Sequence, residues 1–269
     1  MSVVLATDDS GGPEIFASLQ GEGPSAGKPC AFVRLSRCNL ACTWCDTAYT
    51  WRFTGDNRPH RDDVAYERAA NQVTLAETDV AARIAALGQP RLVVTGGEPL
   101  LQATALARML THLGVRPRAG GGLGQVEREP DGGPRLRGDS IFVEVETNGT
   151  VAPPPALDAL VHQYNVSPKL AHSGNAAELA LPPERLRHWA AEPRAFFKIV
   201  IAEPGDVDEV LALAGTYAIP RERIWLMAEG TDAATLAARE RWLAQLCLEH
   251  GLTLSGRLHI ALYGDSRGT

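Results

Sequence analysis

Residues 30–45, Cys-Ala-Phe-Val-Arg-Leu-Ser-Arg-Cys-Asn-Leu-Ala-Cys-Thr-Trp-Cys, contain the pattern that decides the fold. The apolar run at 30–35 is typical of a buried strand. Cys38, Cys42 and Cys45 follow it with the spacing Cys-x3-Cys-x2-Cys. A strand followed directly by clustered thiols predicts a ligand-binding loop at the C-terminal end of that strand.

Further strands and helices alternate along the rest of the chain. Apolar runs predict strands at 91–95, 141–147, 163–167, 195–201, 224–227 and 258–261, and helical spacing predicts helices at 78–87, 100–113, 206–215 and 232–250. Strands separated by helices indicate parallel βαβ units. The number of strands predicts an α/β fold, a partial (βα)6 barrel of the TIM type, whose functional groups lie at the strand ends.

The domain organisation predicted from these segments is simple. Residues 1–269 form a single domain, in which 1–13 are expected to be a flexible leader. Residues 50–75 are polar and irregular, and predict an elaborated connection after the cysteine loop. Residues 116–139 are rich in glycine and lack an apolar period, which predicts a mobile insertion or an exposed hairpin.

Composition and charge exclude several classes of function. The net charge is −6, from 26 basic and 32 acidic residues, and like charges do not form runs, so nucleic-acid binding is not expected. No stretch of about 18 apolar residues predicts a membrane span. The N-terminus lacks the basic and apolar regions of a secretory signal, so the expected location is the cytoplasm.

The cysteine cluster requires an explanation of its own, since three of the five cysteines lie within eight residues. In a reducing compartment, clustered thiols indicate metal more often than disulfides. Thiolates suit zinc, copper(I) or iron–sulfur clusters. A structural zinc ion needs four ligands, and His60 matches no zinc-finger spacing. Three thiolates on a 4Fe–4S cluster would leave one iron open for another ligand. Cys30 and Cys247 are interpreted as ordinary buried thiols.

The cysteine spacing, with Trp44 before the last thiol, resembles the signature of the radical S-adenosylmethionine (SAM) superfamily. The turn Gly96-Gly97-Glu98-Pro99 resembles the superfamily's motif for the SAM amino group. Glycines allow close approach of the backbone, and a carboxylate accepts from an ammonium group. The residues assigned to SAM on this basis are Gly97, Glu98, Glu146, Thr147, Ser167, Lys169, Met227 and Glu229.

A finer resemblance is to the 7-carboxy-7-deazaguanine synthase family. The segments that carry it are Glu14-Ile15-Phe16, Leu19-Gln20-Gly21-Glu22-Gly23, Arg34, residues 38–47 and Thr95-Gly96-Gly97-Glu98-Pro99. The resemblance implies Mg²⁺-dependent conversion of 6-carboxy-5,6,7,8-tetrahydropterin to 7-carboxy-7-deazaguanine with loss of ammonia, a step toward queuosine and other 7-deazapurines. The reacting group is then the SAM-derived radical, and no side chain is assigned as catalytic.

The same resemblance implies a set of ligands and partners. Cys38, Cys42 and Cys45 would hold the 4Fe–4S cluster, and Thr47 would bind Mg²⁺, which prefers hard oxygen ligands. The substrate-binding residues would be Leu19, Gln20, Gly21, Glu22, Arg34, Thr95, His259 and Thr269. A homodimer and a flavodoxin or ferredoxin reductant are expected. Whether the Thr269 carboxylate reaches substrate stays open, since the C-terminal segment departs from that of shorter family members.

Two alternatives remain at this stage. A glycyl-radical activating enzyme shares the Cys-x3-Cys-x2-Cys spacing and a small partial barrel, but would not need the Leu-Gln-Gly-Glu-Gly segment at residues 19–23. A zinc-stabilised binding module is the alternative from a different class. If reconstituted protein forms no deazaguanine product from carboxytetrahydropterin, the 7-carboxy-7-deazaguanine synthase interpretation is wrong. A purified protein with stoichiometric zinc and no iron would favour the zinc-stabilised module.

Overall fold

The computed structural model describes residues 1–118, 127–128, 134–135 and 141–269. Its strands are β1 (Ser2–Ala6), β2 (Ile15–Leu19), β3 (Pro29–Leu35), β4 (Gln72–Ala76), β5 (Arg91–Gly96), β6 (Glu127–Arg128), β7 (Pro134–Arg135), β8 (Phe142–Thr147), β9 (Gln163–Val166), β10 (Ala195–Ile201), β11 (Ile224–Ala228) and β12 (Thr253–Ser255). Its α-helices are α1 (Arg68–Asn71), α2 (Glu77–Ala86), α3 (Ala103–His112), α4 (Pro155–Asp158), α5 (Ala177–Ala180), α6 (Pro183–Ala191), α7 (Asp206–Tyr217), α8 (Ala233–His250) and α9 (Leu258–Tyr263).

One curved sheet organises the chain. Its strand order is β12-β11-β10-β9-β8-β5-β3-β1-β4, and β2 pairs with β3 beside this path. Strands β3, β5 and β8 to β12 run parallel to one another. Within the described residues the path ends at β12 and at β4, so the barrel is open, as the predicted partial barrel requires. None of the helices in the described ranges is long and apolar enough to cross a membrane.

Along the parallel strands, apolar side chains that pack in the core alternate with polar side chains that face the inside of the barrel. On β8, Val143 and Val145 are fully buried in the main hydrophobic core, while Glu144 and Glu146 face the other side of the sheet. Successive side chains of a strand point to opposite faces. The apolar face packs against the helices, and the opposite face therefore supplies polar groups to the inside of the barrel.

The N-terminal residues 1–13 were expected to be a flexible leader, and that expectation is wrong. Strand β1 pairs antiparallel with β4 over its whole length, and Leu5 pairs with Leu35 of β3. Val3 and Leu5 are fully buried. The segment Ser2–Ala6 is short but almost entirely apolar, and it covers an edge of the sheet that would otherwise have unpaired backbone groups.

The strand expected at 258–261 is also wrong, because these residues form helix α9. The last parallel strand is instead β12, which among the described strands pairs with β11 alone. After β12 the chain turns across the mouth of the barrel, where Leu258 donates its backbone N–H to Gly21 (2.9 Å). With no neighbouring strand to pair with, a segment satisfies its backbone groups internally as a helix.

The insertion predicted at 116–139 lies mostly outside the described residues. Within it, β6 and β7 pair antiparallel, with Glu127 opposite Arg135 and Arg128 opposite Pro134.

A buried histidine gives the fold a pH dependence. His162 Nδ1 accepts from the backbone N–H of Val143 (3.1 Å). Burial, together with Arg118, Arg194 and Arg91, lowers the pKa of His162 to about 4. A folded-state pKa below the unfolded value of about 6.5 means that the neutral ring contributes stability above that pH, and this contribution is lost as the pH falls toward 4.

We expect His162→Asn to flatten the decrease in urea midpoint between pH 7 and pH 5, because Asn offers an acceptor without a titrating ring. His112→Asn, at an exposed position of α3, should keep the wild-type pH dependence. Equal slopes for the wild type and H162N would contradict the assignment.

Candidate active site

The C-terminal ends of the parallel strands surround a cavity of about 380 Å³. Most of the side chains predicted from sequence meet there, although they come from strands and loops far apart in the chain. The predicted residues that line it are Leu19, Gln20, Gly21, Glu22, Arg34, Cys38, Cys42, Cys45, Thr47, Thr95, Gly97, Glu146, Thr147, Ser167, Lys169, Met227, His259 and Thr269.

Each of the three cysteine sulfurs in this cavity has a side-chain N–H donor. Asn148 Nδ2 lies 3.9 Å from Cys38 Sγ, Asn175 Nδ2 lies 3.3 Å from Cys42 Sγ, and Trp51 Nε1 lies 3.4 Å from Cys45 Sγ. Donors directed at sulfur are typical of thiolates that ligate iron, since they stabilise the negative charge of the cluster.

Burial opposes thiolate formation at these positions in the absence of a cation. It raises the pKa of the Cys38 thiol to about 12 and raises the pKa of Cys42 and Cys45. None of the three is in a disulfide. Three thiols with N–H donors on one cavity wall fit a 4Fe–4S cluster with one open iron, because iron would offset the cost of burying the thiolates.

The donor to Cys45 gives a direct test of this fit. We expect Trp51→Phe to lower the midpoint potential of the reconstituted cluster, because one hydrogen bond that stabilises the reduced, more negative state is lost. Trp225→Phe is the matched control, since the indole N–H of Trp225 has no partner among the described residues. A redox titration followed by electron paramagnetic resonance gives both potentials. An unchanged or higher potential in W51F would contradict the expectation.

The glycines of the turn after β5 are required by the cysteine loop. A Cβ on Gly96 would lie 2.1 Å from the carbonyl oxygen of Leu35, and one on Gly97 would lie 2.1 Å from that of Arg37. The backbone N–H of Gly97 donates to Leu35 (3.0 Å). The two glycines therefore hold the start of the cysteine loop against β5, in addition to lining the cavity.

Glu98 lies just behind the cavity lining, and its assignment to SAM stays a prediction. It is fully buried and outside the cavity lining, and its carboxylate accepts from Leu100 N (2.9 Å), Thr147 Oγ1 (2.9 Å) and Asn148 N (2.7 Å). Burial raises the pKa of Glu98 to about 7, and the donors act in the opposite direction. In this arrangement Glu98 joins the ends of β5 and β8, and it acts on the site through Thr147 and Asn148.

Glu229, also predicted to bind SAM, lies outside this cavity too. Its carboxylate forms ion pairs with Arg61 and Arg239. These residues line a second, more polar cavity next to the first. Glu229 therefore connects the irregular segment after the cysteines to α8, while Met227 of the same strand end lines the main cavity.

In the same cavity, Gln20, Glu22 and Glu146 form a wall of oxygen atoms, the acceptor wall. Glu146 accepts from Thr95 Oγ1 (2.7 Å), Gln20 Nε2 (3.3 Å) and Lys198 Nζ (3.2 Å). Glu22 accepts from Lys198 and from Arg257 Nε (3.0 Å). Burial opposes the ionisation of Glu22, but Lys198, Arg257 and His259 outweigh it and hold the pKa of Glu22 well below its ordinary value. This wall is therefore rich in acceptors, and Lys198 and Arg257 balance the charge of its two carboxylates.

Two cations have free donor capacity toward the cavity. Arg34 gives its Nε to Glu14 (2.7 Å), while its two terminal nitrogens make no hydrogen bond to any described residue. Lys169 Nζ donates to the hydroxyl of Ser167 (2.7 Å) and lies 5.5 Å from the ring centroid of Trp44. Guanidinium and ammonium groups in this state can each receive a carboxylate of a ligand.

Helix α9 brings His259 to Gly21, where a Cβ would lie 2.1 Å from His259 Nδ1. Only glycine fits at this position, so the Leu-Gln-Gly-Glu segment depends on a helix more than 200 residues away in the chain. Thr47 Oγ1 lies 3.6 Å from Cys45 Sγ on the cavity wall. That hydroxyl is a single hard oxygen, and Thr47 as a magnesium ligand stays a prediction.

Several lining residues were missed by the sequence analysis. Lys198 could have been found, because a lone charge interrupts the apolar run of β10 and such runs are otherwise continuous in buried parallel strands. Asp46, which forms an ion pair with Arg257, stands inside the cysteine motif. Arg257 had no signal, since it follows β12, a strand that was not predicted. Asn165 of β9 also lines the cavity.

Comparison with known proteins identifies the family. A family model described as a 4Fe-4S single cluster domain matches residues 19–118. The 7-carboxy-7-deazaguanine synthase of Pyrobaculum aerophilum is 36% identical over 258 residues, covering 95% of each chain. The chain belongs to the 7-carboxy-7-deazaguanine synthase family. The synthase of Halobacterium salinarum is 32% identical and covers 95% of this chain and 91% of its own.

The synthase family also agrees with the fold. The crystal structure of QueE from Escherichia coli superposes with a TM-score of 0.60 at 23% identity, covering 95% of both chains. Membership of the synthase family confirms three predictions. The protein is a radical SAM enzyme, its cofactors are an iron–sulfur cluster and SAM, and its substrate is a small molecule.

Proposed function

We propose that this protein converts 6-carboxy-5,6,7,8-tetrahydropterin to 7-carboxy-7-deazaguanine and ammonia, with SAM, a 4Fe–4S cluster and Mg²⁺. The substrate loses only the elements of ammonia, so the conversion needs no net oxidant or reductant. Held by Cys38, Cys42 and Cys45, the cluster together with SAM would supply a 5′-deoxyadenosyl radical for reversible hydrogen-atom abstraction at C6 of the substrate.

The observation that carries this proposal is that the thiols, an acceptor-rich wall and a free guanidinium share one cavity. Gln20 and Glu22 would accept from the amine and amide N–H groups of the pterin ring. Arg34 would receive the 6-carboxylate with its two terminal nitrogens. A ring with donors on one edge and an anion on the other is complementary to this arrangement.

The remaining assignments follow from the chemistry of the lining groups. Lys169 and Ser167 would hold the carboxylate and ribose of SAM, with Gly97, Thr147 and Met227 around them. Thr95 would contact substrate beside Glu146, and Thr47 would give its hydroxyl to Mg²⁺. His259 and Thr269 would close the substrate side of the cavity.

An anaerobic assay tests the proposed reaction. Protein reconstituted with iron and sulfide is incubated with SAM, dithionite, Mg²⁺ and 6-carboxytetrahydropterin, and 7-carboxy-7-deazaguanine is quantified by chromatography with mass detection. We expect product in excess of SAM consumed, because SAM is regenerated in each cycle. Absence of product from protein that contains the cluster and cleaves SAM would overturn the proposal.

The proposal extends to the setting of the reaction. A flavodoxin or ferredoxin would supply the electron that dithionite replaces in the assay, and the enzyme would act in the cytoplasm as a homodimer of single-domain subunits. Sedimentation of the reconstituted protein measures the oligomeric state, and a monomer at micromolar concentration would contradict that part.

A further inference from the structure

The carboxylate of Glu144 lies beneath the cavity wall and has no role in the assignments above. It is fully buried, and it precedes Glu146 by two residues on β8, so both side chains point to the inside of the barrel. Its Oε1 accepts from Gln20 Nε2 (2.8 Å) and Asn165 Nδ2 (2.5 Å), and its Oε2 accepts from Arg91 (3.0 Å). Glu144 thus reaches the cavity only through Gln20 and Asn165, which line it.

The hydrogen bonds of Gln20 fix the direction of its amide. The NH₂ group faces two carboxylates, Glu144 and Glu146. Burial and Glu146 raise the pKa of Glu144, whereas Arg91 and the hydrogen bonds of Ser25 and Gln20 lower it. Paired with Arg91, Glu144 is a carboxylate that only accepts, so the nitrogen of the Gln20 amide, and not its oxygen, lies on that side. The oxygen Oε1 accepts from the backbone N–H of Glu22 (3.2 Å). Both hydrogens of the amide are therefore used, and the one group left over is a lone pair on Oε1.

We propose that Glu144 is a positioning residue for substrate specificity, which holds the Gln20 amide so that only an acceptor faces the ligand. This inference rests on the proposed function, in which the ligand edge at Gln20 carries N–H donors. Because the amide is fixed, Gln20 adds an acceptor to those of Glu22 and Glu146 and offers no donor to the ligand. A ring with carbonyl or unprotonated nitrogen at Gln20 would meet the acceptor Oε1 with no donor from that amide, which is costly in a buried site.

Glu144 could instead serve only to neutralise Arg91, whose guanidinium lies over the ring of Phe142. Replacing the Glu144 carboxylate by an amide distinguishes the two roles. In Glu144→Gln, the new NH₂ would face either Arg91 or Gln20. Facing Arg91 puts two donors together, so the amide turns its oxygen to Arg91 and its NH₂ to Gln20. Gln20 and Asn165, which both donate to this oxygen in the wild type, must then turn over, and Gln20 presents its NH₂ to the cavity.

The first experiment measures KM and kcat of E144Q with 6-carboxytetrahydropterin. We expect KM to rise about tenfold to a hundredfold, the range of one buried unpaired donor, with kcat at saturation within about threefold of the wild type. A structural role alone would lower the amount of active protein and therefore kcat, and would leave KM unchanged. Unchanged KM in folded E144Q would overturn the inference.

Two double variants keep the test valid should E144Q fold poorly. Arg91→Met removes the guanidinium, so a neutral residue at 144 no longer leaves a buried charge without a partner. In E144Q/R91M the amide oxygen is free to face Gln20, and KM should return to that of R91M. In E144M/R91M Glu146 is the one acceptor left for the two hydrogens of the Gln20 amide, so the amide is no longer held in one orientation and KM should stay high. Equal KM values in the two double variants would overturn the inference.

Equilibrium binding separates this inference from the proposed function. The probe is 6-carboxypterin, the oxidised ring, titrated into anaerobic cluster-loaded protein with SAM. A wild-type protein that neither binds the probe nor forms product would contradict the proposed function. A wild type that does both, with E144Q equal to it, would contradict only the role of Glu144.

Discussion

Cys42→Ala should give a folded protein that lacks iron–sulfur absorbance and has lost turnover by more than about a hundredfold. Outer groups around a metal site cost 10- to 100-fold when removed, and a direct ligand costs more. Cys42 is nearly buried, and Asn175 holds both its sulfur and the backbone N–H of Ala41 (2.9 Å). No other thiol lies in the cavity lining to replace it, apart from Cys38 and Cys45, which are already required.

The measurement is iron and sulfide per chain after reconstitution, followed by the product assay. Cys30→Ser is the matched control, because Cys30 is equally buried and its thiol donates to the carbonyl oxygen of Ser18 (3.4 Å), a bond that a hydroxyl can keep. C30S should retain the wild-type iron content and rate. A C42A protein with full iron and wild-type turnover would show that the cluster is not held by these three thiols.

Local patterns determined much of what could be predicted. The cysteine spacing, the Gly96-Gly97 turn and the alternation on β8 are properties of short segments, and each lies at a strand end in the structure. Parallel strands all present their C-terminal ends on one side of a barrel. Knowing the order of strands and helices was therefore enough to bring most of the candidate residues into one cavity.

What could not be predicted are interactions between distant parts of the chain. Glu98 and Glu229 stay predicted SAM ligands, and the structure adds that each carboxylate also binds other groups of the protein. Whether a carboxylate is free for a ligand depends on its neighbours in space, and single-sequence patterns do not contain that information. Helix α9 was misassigned because its apolar residues fit a strand equally well, and only the lack of a neighbouring strand decides against one.

The ion-pair network of the acceptor wall also could not be predicted from short segments of the sequence. Lys198 comes from β10, Glu22 from the segment after β2, and Arg257 from the segment after β12, so 235 residues separate the ends of this chain of charges. Arg257 also pairs with Asp46, the residue after the last cysteine. The network thereby joins the substrate side of the cavity to the cysteine loop.

Lys198→Met should lower the free energy of unfolding at pH 7 by about 3–5 kcal/mol, the cost of removing one partner from a buried ion pair. The methionine keeps the apolar stem but leaves Glu146 without its cation and Glu22 with Arg257 alone. Urea denaturation of the protein without added iron measures the change. Lys169→Met is the control, because Lys169 donates to a hydroxyl and forms no ion pair with a carboxylate of the described chain, so its effect should be much smaller.

The pH dependence of the stability lost in K198M tests whether this loss of unfolding free energy is electrostatic in origin. In the wild type the pKa of Glu22 is depressed, so its ionised form contributes stability above the unfolded pKa of about 4.5, and that stability is lost as the pH falls through the folded pKa. In K198M the pKa of Glu22 should rise, since the nearest ammonium is gone. The loss of unfolding free energy in K198M should therefore be full at pH 7 and smaller below pH 4.5, where Glu22 of the variant becomes protonated. The double variant K198M/E146Q, which removes the carboxylate left without a cation, should recover part of the loss at pH 7. If K198M loses the same unfolding free energy at pH 7 and below pH 4.5, and E146Q recovers none of it, Lys198 stabilises the fold by packing of its stem and not by its charge.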